Sequence, residues 1–425
     1  MITKSCGVEW IGDIPQEWEI SRIKYVSDFQ PTCDTSMLTN ESIVTYTPME
    51  YIKNGYYIKN DSPYGKLSSS LTQYCEGDIV MAKVTPCFEN GNIAIMTNLS
   101  SGIGMGSSEL FVFRAKRINV KYLFYWLRNT GFVNAACATM TGTGGLKRVS
   151  PYFVYNSVIC YPKKNEYQQR IVEFLDRKCA EIDSVISKTK ATIEQYKALK
   201  QSVITQAVTK GIRPDRPMKD SGIEWIGEIP QEWEVRRIKT LFSLRDERND
   251  KPLSDVNLIS LYTDLGVVQR NDVECPTGNK ASNADGYKLV YKNDIVVNII
   301  LCWMGAIGRS DYNGVTSPAY DIYTPSAVAN PYYYHYYFRT KGFSGDCYKR
   351  GKGIMAMRWR TYSDEFRDIR VVYPPVQEQQ EIADYLDRKC AEIDRLIAAK
   401  EQLLTELESY KKSVIYEYVT GKKEV

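Results

Sequence analysis

Two glycine-rich turns flanked by lysine and arginine are the residues whose chemistry is most readily inferred. The first turn spans 141–148 with the sequence TGTGGLKR, and the second spans 349–353 with the sequence KRGKG. Glycine lets a backbone approach a surface closely, while lysine and arginine reach phosphate oxygens or the O6 and N7 edge of guanine. An ordinary solvated loop is the alternative, but the recurrence of glycine with charge in both halves of the chain favours DNA contact.

The distribution of charge around the turns supports the same interpretation. Residues 110–165 carry nine Lys and Arg and no acid, in a chain that has 51 Asp and Glu. Residues 349–360 carry five cations and no acid. Segregated positive charge is typical of a surface that binds a phosphate backbone. The predicted DNA-binding residues are Lys83, Thr143, Lys147, Arg148, Lys349, Arg350, Lys352, Arg358 and Arg360.

Residues that could carry catalysis are scarce. The chain has a single histidine, His335, and 11 cysteines, none of them spaced as CxxC. This composition excludes multi-histidine metal sites and argues against structural zinc, a disulfide framework and serine–histidine chemistry. The 141–148 turn follows a predicted helix and precedes extended residues, so it lacks the context of a cofactor loop. No phosphate-binding loop, amino-methyltransferase motif or convincing nuclease cluster is present, which favours a non-catalytic chain.

The chain contains an internal repeat. Residues 8–20 and 223–235 are identical at ten of thirteen positions, and residues 175–183 and 386–394 are identical at all nine. The middles, 27–110 and 242–320, share little. Drift after gene duplication is one explanation. Two modules with one architecture and different targets explain better why the ends stayed alike while the middles diverged.

The similar ends predict long helices. Apolar residues recur at steps of three, four and seven over 168–209 and again in the second copy, without internal Gly or Pro. Forty-two residues give a rod of roughly 60 Å, whose narrow apolar stripe needs a partner. The natural partner is the other copy, packed antiparallel about a pseudo-two-fold axis, although a purely structural coiled coil is also compatible. The predicted pairing residues are Ile182, Ile186, Ile193, Ile393, Ile397 and Leu404.

The variable middles predict short strands, because β-branched or alternating runs are separated by Gly, Asn, Ser and Pro. Each module should end in an aromatic helix, 122–127 or 332–338, that packs in a core. The predicted fold class is α+β, with two similar globular domains joined by two long antiparallel helices. The predicted boundaries are 1–164 for the first module, 165–213 for the central helix, 214–375 for the second module and 376–425 for the distal helix.

These motifs carry a family resemblance. The segments GVEWIGDIPQEWEISRIKYV and IEWIGEIPQEWEVRRIKTLF, and QQ..I...LDRKCAEID in both helices, resemble the specificity subunit of type I restriction–modification enzymes. NDIVVNIILCWMGAIG…SPAYDIY in the second module is similar to a target-recognition domain frequent in that family. The resemblance covers the whole chain in the right order.

The resemblance implies a division of labour. Each variable module would be a target-recognition domain that reads one half of a bipartite, asymmetric sequence in double-stranded DNA. The helices would separate the halves and dock two methyltransferase (modification) subunits. S-adenosylmethionine, ATP and Mg would be bound by the methyltransferase and restriction (translocase) subunits, and this chain would bind no cofactor or metal.

Location follows from what the sequence lacks. No apolar run reaches the ~18 residues that a membrane span needs, and the first residues do not resemble a signal peptide. We therefore expect no membrane contact and a cytoplasmic protein.

Two alternative functions remain open. A stand-alone enzyme should bind S-adenosylmethionine by itself, and a coiled-coil scaffold should not affect DNA mobility.

Overall fold

The computed structural model describes residues 2–143, 145–272, 283–353 and 359–425. They form two compact units. Unit 1 comprises Met1–Lys190 and Gln402–Val425, and unit 2 comprises Ala191–Glu401. Within the described ranges, no helix has both the length and the apolar character needed to cross a membrane.

Unit 1 is built on short strands, as the alternating runs predict. In chain order its strands are β1 (Thr3–Ser5), β2 (Asp13–Pro15), β3 (Trp18–Arg22), β4 (Ser27–Phe29), β5 (Ile43–Thr47), β6 (Asp61–Pro63), β7 (Thr72–Cys75), β8 (Ile79–Ala82), β9 (Ile93–Ile95), β10 (Ile103–Gly106), β11 (Leu110–Ala115) and β12 (Val158–Pro162). They form two four-stranded sheets, ordered β6-β5-β10-β7 and β4-β11-β8-β9, and the pairs β1-β2 and β12-β3. The pairing of β5 with β10 is parallel, and the other pairings in this unit are antiparallel.

Strand β8 explains why one apolar run can serve two cores. All four of its residues are buried. Ile79 and Met81 point into the main core, whereas Val80 and Ala82 belong to a second core under the other sheet. Successive side chains of a strand point to opposite faces, so a strand covered on both sides is apolar throughout.

The helices of unit 1 are short except where the chain leaves it. They are α1 (Ile23–Val26), α2 (Val120–Arg128), α3 (Thr130–Cys137), α4 (Pro151–Asn156) and the first part of α5 (Asn165–Lys210). Asn119 caps α2 by accepting from the backbone N–H groups of Lys121 and Tyr122. The predicted aromatic helix is confirmed as core, because residues 122–127 are all buried.

Unit 2 repeats the plan. Its strands are β13 (Met218–Asp220), β14 (Glu228–Pro230), β15 (Glu234–Arg237), β16 (Phe242–Arg245), β17 (Ile259–Tyr262), β18 (Gly266–Gln269), β19 (Lys288–Val290), β20 (Ile295–Asn298), β21 (Ile307–Arg309), β22 (Gly314–Thr316), β23 (Tyr320–Pro325) and β24 (Arg370–Tyr373). Its helices are α6 (Ile238–Leu241), α7 (Pro331–Phe338), α8 (Lys341–Arg350), α9 (Ser363–Arg367) and most of α10 (Val376–Val419).

The repeat is visible in the sheets. The order β16-β23-β20-β21 in unit 2 matches β4-β11-β8-β9 in unit 1. The two units differ beside that sheet: unit 1 has a second four-stranded sheet, while unit 2 has the separate pairs β17-β18 and β19-β22. These differing strands lie in the stretches whose sequences share little.

Each unit pairs one part of α5 with one part of α10, in antiparallel orientation. In unit 1 the Lys411 Nζ lies 2.6 Å from a carboxylate oxygen of Asp183, and the rings of Phe174 and Tyr418 are 4.3 Å apart. In unit 2 the Lys200 Nζ lies 2.6 Å from Asp394. The two ion pairs occupy equivalent positions of the repeat, so the helices pair in the same register in both units.

The predicted pairing residues lie along this stripe. Ile182, Ile193 and Ile393 are buried, whereas Ile186, Ile397 and Leu404 are half-buried. Thr189, a polar break in the stripe, is also buried. The helices begin at Asn165 and Val376, and each continues past the boundary between the two units.

The repeated tryptophans fix the start of each module against the helix that follows its aromatic helix, α3 in unit 1 and α8 in unit 2. A Cβ placed on Gly131 would lie 2.1 Å from the ring of Trp10, and one on Gly342 would lie 2.1 Å from the ring of Trp225. The glycines are therefore required by close packing.

We predict that Gly342→Ala destabilises the protein by about 1–3 kcal/mol, because the added methyl group overpacks the Trp225 contact. Gly345→Ala is the matched control, since it lies on the same helix, α8, with nothing within 4 Å of the added Cβ. It should stabilise or leave stability unchanged, because alanine is the better helix former. Denaturant unfolding of both variants measures the difference, and equal stabilities would contradict the packing argument.

Candidate nucleic-acid interface

The first basic turn is a hairpin anchored on the sheet. Thr141 and Arg148 exchange backbone hydrogen bonds of 3.0 and 2.8 Å at its base. The hairpin then pairs with the end of β8, because the N–H of Val149 donates to the carbonyl of Lys83 at 2.9 Å and that of Thr85 donates to the carbonyl of Lys147 at 2.9 Å. The base is thus held by the sheet while residues 141–143 and 145–148 remain exposed.

Glycine is required at the start of this hairpin. A Cβ on Gly142 would lie 2.3 Å from the carbonyl oxygen of Leu146, and its φ of +146° is one that other residues rarely adopt. The close crossing of the two hairpin strands is therefore specified by sequence.

The second basic stretch is only in part a turn, because Lys349 and Arg350 are the last two residues of α8 and Lys352 begins the second hairpin, which its bridge to Arg360 closes. Lys352 and Arg360 exchange backbone hydrogen bonds of 2.8 and 3.0 Å, as Thr141 and Arg148 do in unit 1. The N–H of Thr361 then donates to the carbonyl of Ile299 at 2.9 Å, which repeats the contact of Val149 with Lys83. Lys352 and Arg360 thus lie where Thr141 and Arg148 lie in unit 1, so the predicted turns match only in part: the 349–353 stretch starts before the bridge, and residues 354–358 lie outside the described residues.

Neighbouring acids partly neutralise the cations of the first hairpin. The guanidinium of Arg148 donates two hydrogen bonds of 2.9 Å to Glu109 and holds the pKa of that carboxyl below its usual value. The Lys83 ammonium donates to the carbonyl of Ser108 at 2.6 Å and lies 4.0 Å from the same carboxylate. Among the described residues, none pairs with the ammonium of Lys147. Sequence reasoning missed Glu109, because it identified the acid-free stretch beginning at residue 110 without asking what flanks it.

The second hairpin has a similar balance. Lys349 lies 2.8 Å from Glu224, and Lys352 pairs with Glu365. The flank is stiffened by aromatic stacking, since the rings of Trp359 and Tyr348 are 5.0 Å apart. Arg350 is exposed and Arg360 is half-buried. Arg358 lies outside the described residues.

A buried carboxylate supports the strand beneath each hairpin. Asp78, just before β8, receives two 2.8 Å hydrogen bonds from Arg114, and Asp294, just before β20, receives bonds of 3.1 and 3.3 Å from Arg245. The arginine belongs to β11 in unit 1 but to β16 in unit 2. The acid keeps its place while its partner changes strands.

Two cysteines lie beside Asp78. The structure joins Cys33 and Cys75 in a disulfide with their Cα atoms 6.3 Å apart, a pair that the cysteine count did not predict. Cys33, Cys75 and Asp78 are the one cluster of possible metal ligands found within the described ranges. The oxygens of Asp78 already accept from Arg114 and from the N–H of Cys75. This cluster therefore has a structural explanation without a metal.

The single histidine is part of the fold. The Nδ1 of His335 accepts a 3.2 Å hydrogen bond from the backbone N–H of Arg309. Burial lowers the pKa of His335 to about 3, so the ring is neutral near pH 7.

Comparison with known proteins identifies the second unit. Residues 230–409 match the family described as "Type I restriction modification DNA specificity domain". This part of the chain is thus similar to a type I DNA specificity domain. The resemblance found in the repeated motifs is thereby confirmed, and unit 1, which has the same sheet order and hairpin, is the second copy of that architecture.

The relatives are specificity subunits. The chain is 32% identical over 167 residues to the type I restriction enzyme EcoAI specificity subunit of Escherichia coli, a match that covers 38% of this chain and 28% of that protein. It is 26% identical over 197 residues to the EcoEI specificity subunit of Escherichia coli, covering 45% of this chain and 33% of that protein. It is 24% identical over 239 residues to the MjaVIII specificity subunit of Methanocaldococcus jannaschii, covering 55% and 51%. The chain thus spans between 28% and 51% of the length of these three relatives.

Solved structures support the α+β fold with paired long helices. A chain from a structure on complex assembly and conformational transition of the type I R-M system aligns over 96% of this chain and 99% of its own length, with a TM-score of 0.74 and 17% identity. The HsdS subunit from Thermoanaerobacter tengcongensis aligns over 96% and 98%, with a TM-score of 0.55 and 17% identity.

The hairpin of unit 1 yields a test of the Glu109 contact. We predict that Glu109→Gln frees the guanidinium of Arg148 for a phosphate, so that DNA binding tightens and the slope of log K against log salt steepens by up to ~0.9. Glu89→Gln makes the same change of charge at an exposed position of unit 1. Binding of a DNA duplex over a salt series measures both variants, and equal slopes for the two would show that Arg148 makes no phosphate contact.

Proposed function

We propose that this chain is the DNA-recognition subunit of a type I restriction–modification complex, in which each unit reads one half of a bipartite, asymmetric target. One observation carries the proposal: two units present a basic hairpin from the same place on the same sheet, in a chain whose second unit is similar to a type I DNA specificity domain. A duplicated sheet with a duplicated basic hairpin is suited to two DNA contacts of one kind.

The difference between the hairpins supports an asymmetric target. The first presents TGTGGLKR beside a four-stranded sheet, and the second is flanked by the stacked pair Tyr348–Trp359 beside two-stranded sheets. Base sequence is read by side chains in the grooves, whereas phosphate contacts set position. Unlike side chains on like backbones should therefore read unlike sequences while both units hold the duplex through the same phosphate chemistry.

The long helices suit two further tasks, namely setting the spacer between the half-sites and docking partner subunits. Each exposes apolar residues at equivalent positions of the repeat. Val185 and Leu396 are 44% and 43% exposed, and Leu199 and Tyr410 are both 49% exposed. Exposed apolar residues that recur in both copies favour two equivalent docking surfaces, one for each of two methyltransferase subunits.

Chemistry would reside in those partners. The methyltransferase subunits would bind S-adenosylmethionine, and restriction subunits would use ATP and Mg for translocation and cleavage. This chain would recognise the target sequence in double-stranded DNA, a role that fits the shortage of catalytic residue types in its sequence. A cytoplasmic location follows from the same proposal.

Exchange of one variable module tests the division of the target. Replacing residues 27–160 by the corresponding module of another specificity subunit should change one half of the methylated sequence and leave the other half unaltered. Single-molecule methylation mapping of a genome that expresses the chimaera, beside one that expresses the parent, is the measurement. Changes in both halves would refute modular reading.

Substitution on the helices tests the docking surfaces. Val185→Asp should weaken binding of one methyltransferase subunit, and Val185→Asp with Leu396→Asp should weaken both, because a carboxylate cannot be buried unpaired at low cost. Val185→Ile, which keeps the surface apolar, is the control. Native mass spectrometry of the assembled complex should find two, one and zero methyltransferase copies for parent, single and double variants. Two copies in every variant would exclude this surface.

A further inference from the structure

One face of unit 1 exposes three tyrosines around two cations. Tyr152, Tyr25 and Tyr155 are 78%, 61% and 40% exposed. The Lys24 ammonium lies 5.2 Å from the ring centre of Tyr25 and 5.7 Å from that of Tyr155. Arg22 adjoins them at the start of α1. We call Arg22, Lys24, Tyr25, Tyr152 and Tyr155 the tyrosine face.

The two cations of the tyrosine face are oriented but not neutralised. The Arg22 guanidinium donates to the backbone carbonyl of Asn156 at 2.7 Å, and the Lys24 ammonium donates to the amide oxygen of the same residue at 2.8 Å. Both acceptors are uncharged. Within the part of the chain that the structure describes, neither cation is paired with a carboxylate. Their positive charge therefore remains available to a ligand.

Unit 2 shows the same fold, but there one carboxylate pairs with both of the equivalent cations. The strand register places Arg22 opposite Val158 and Arg237 opposite Arg370, which makes Asp368 the equivalent of Asn156. Asp368 lies 3.1 Å from Arg237 and 2.7 Å from Lys239, and hydrogen bonding by Lys239 lowers the pKa of its carboxyl.

The tyrosines are likewise confined to unit 1. Thr240 stands at the position of Tyr25, and Asp364 at that of Tyr152. The fold therefore requires neither the free charge nor the exposed rings of unit 1.

We propose that the tyrosine face is a second DNA contact of unit 1 and binds phosphodiester groups beside the 141–148 hairpin. The inference rests on the proposed DNA-reading function. Arg and Lys bind phosphate by charge, and tyrosine hydroxyls donate hydrogen bonds to phosphate oxygens.

The position on the chain fits this ligand. Tyr152 follows Arg148 by four positions, so their Cα atoms lie at most ~14 Å apart. That distance corresponds to about four base-pair steps of 3.4 Å. A duplex held by the hairpin is thus within reach of the tyrosine face, and the added contacts would position the DNA without reading its sequence.

The substitution that copies unit 2 into unit 1 is the sharpest test. Asn156→Asp should place one carboxylate between Arg22 and Lys24, remove one unit of positive charge from the face and lower the salt slope of duplex binding by up to ~0.9. Tyr152→Ala should weaken binding without a change of charge. Asn134→Asp, at an exposed position of α3, is the matched control for one added negative charge. The full chain is titrated with a random-sequence duplex of about 40 base pairs, because phosphate contacts are independent of sequence.

The outcomes separate this inference from the function on which it rests. Absence of duplex binding by the parent chain would refute the proposed function itself. If the parent binds and Lys147→Ala lowers the slope, but Asn156→Asp matches Asn134→Asp and Tyr152→Ala matches the parent, the tyrosine face is not a DNA contact. Loss of methyltransferase binding with unchanged DNA binding would assign the face to a protein partner and would also overturn the inference. Matching unfolding midpoints for all variants exclude an effect on folding.

Discussion

The apolar stripes of α5 and α10 have to be buried against each other, and this constraint organises both units. A stripe of one residue in every three or four is too narrow to stabilise a lone helix of more than 40 residues in water. In unit 1 the two stripes are buried in a core that combines Ile171 and Leu175 of α5 with Val414 and Val419 of α10. Unit 2 repeats it with Ile204 and Val208 of α5 and Ile382 and Leu386 of α10. Each globular unit is therefore completed by helix segments far apart in the sequence.

The repeat fixes details as well as the plan. The hydroxyl of Tyr122 donates to the carbonyl of Val419 at 2.9 Å in unit 1, and that of Tyr333 donates to the carbonyl of Val208 at 2.7 Å in unit 2. These buried bonds join the aromatic helix of each unit to the end of a long helix. Leaving a buried hydroxyl unpaired would lower the free energy of unfolding, so substitutions that break these bonds are disfavoured. Both donors and both acceptors occupy equivalent positions of the repeat.

The middles diverged where the fold allows it. A carboxylate precedes the central strand in both units, yet the arginine that pairs with it comes from β11 in one and from β16 in the other. Burial of a charge demands a partner but does not dictate which strand supplies it. The same freedom lets both units keep the bridge at the base of the hairpin, from Thr141 to Arg148 and from Lys352 to Arg360, while the exposed side chains beside it differ.

Much of this architecture could be predicted from the sequence, because periodicity and repetition are properties of a chain segment. The stripe through Ile182 and Ile393 predicts the long helices to within three residues at the start of α5, and the shared glycine and charge predict equivalent turns. Contacts between segments distant in sequence could not be predicted. Two examples depend on strand register: the paired hydrogen bonds from Arg148 to Glu109, and the disulfide between Cys33 and Cys75. The strand register shows that Asn156 and Asp368 are equivalent. Only this equivalence reveals that Lys24 has an uncharged partner where unit 2 has a carboxylate.

The most direct measurement of the central claim is the methylated sequence itself, determined for the native chain in complex with its methyltransferase. The proposal that each unit reads one half of the target predicts two unlike sequence elements separated by a constant number of unspecified base pairs. A single uninterrupted element, or two identical inverted halves, would contradict the account.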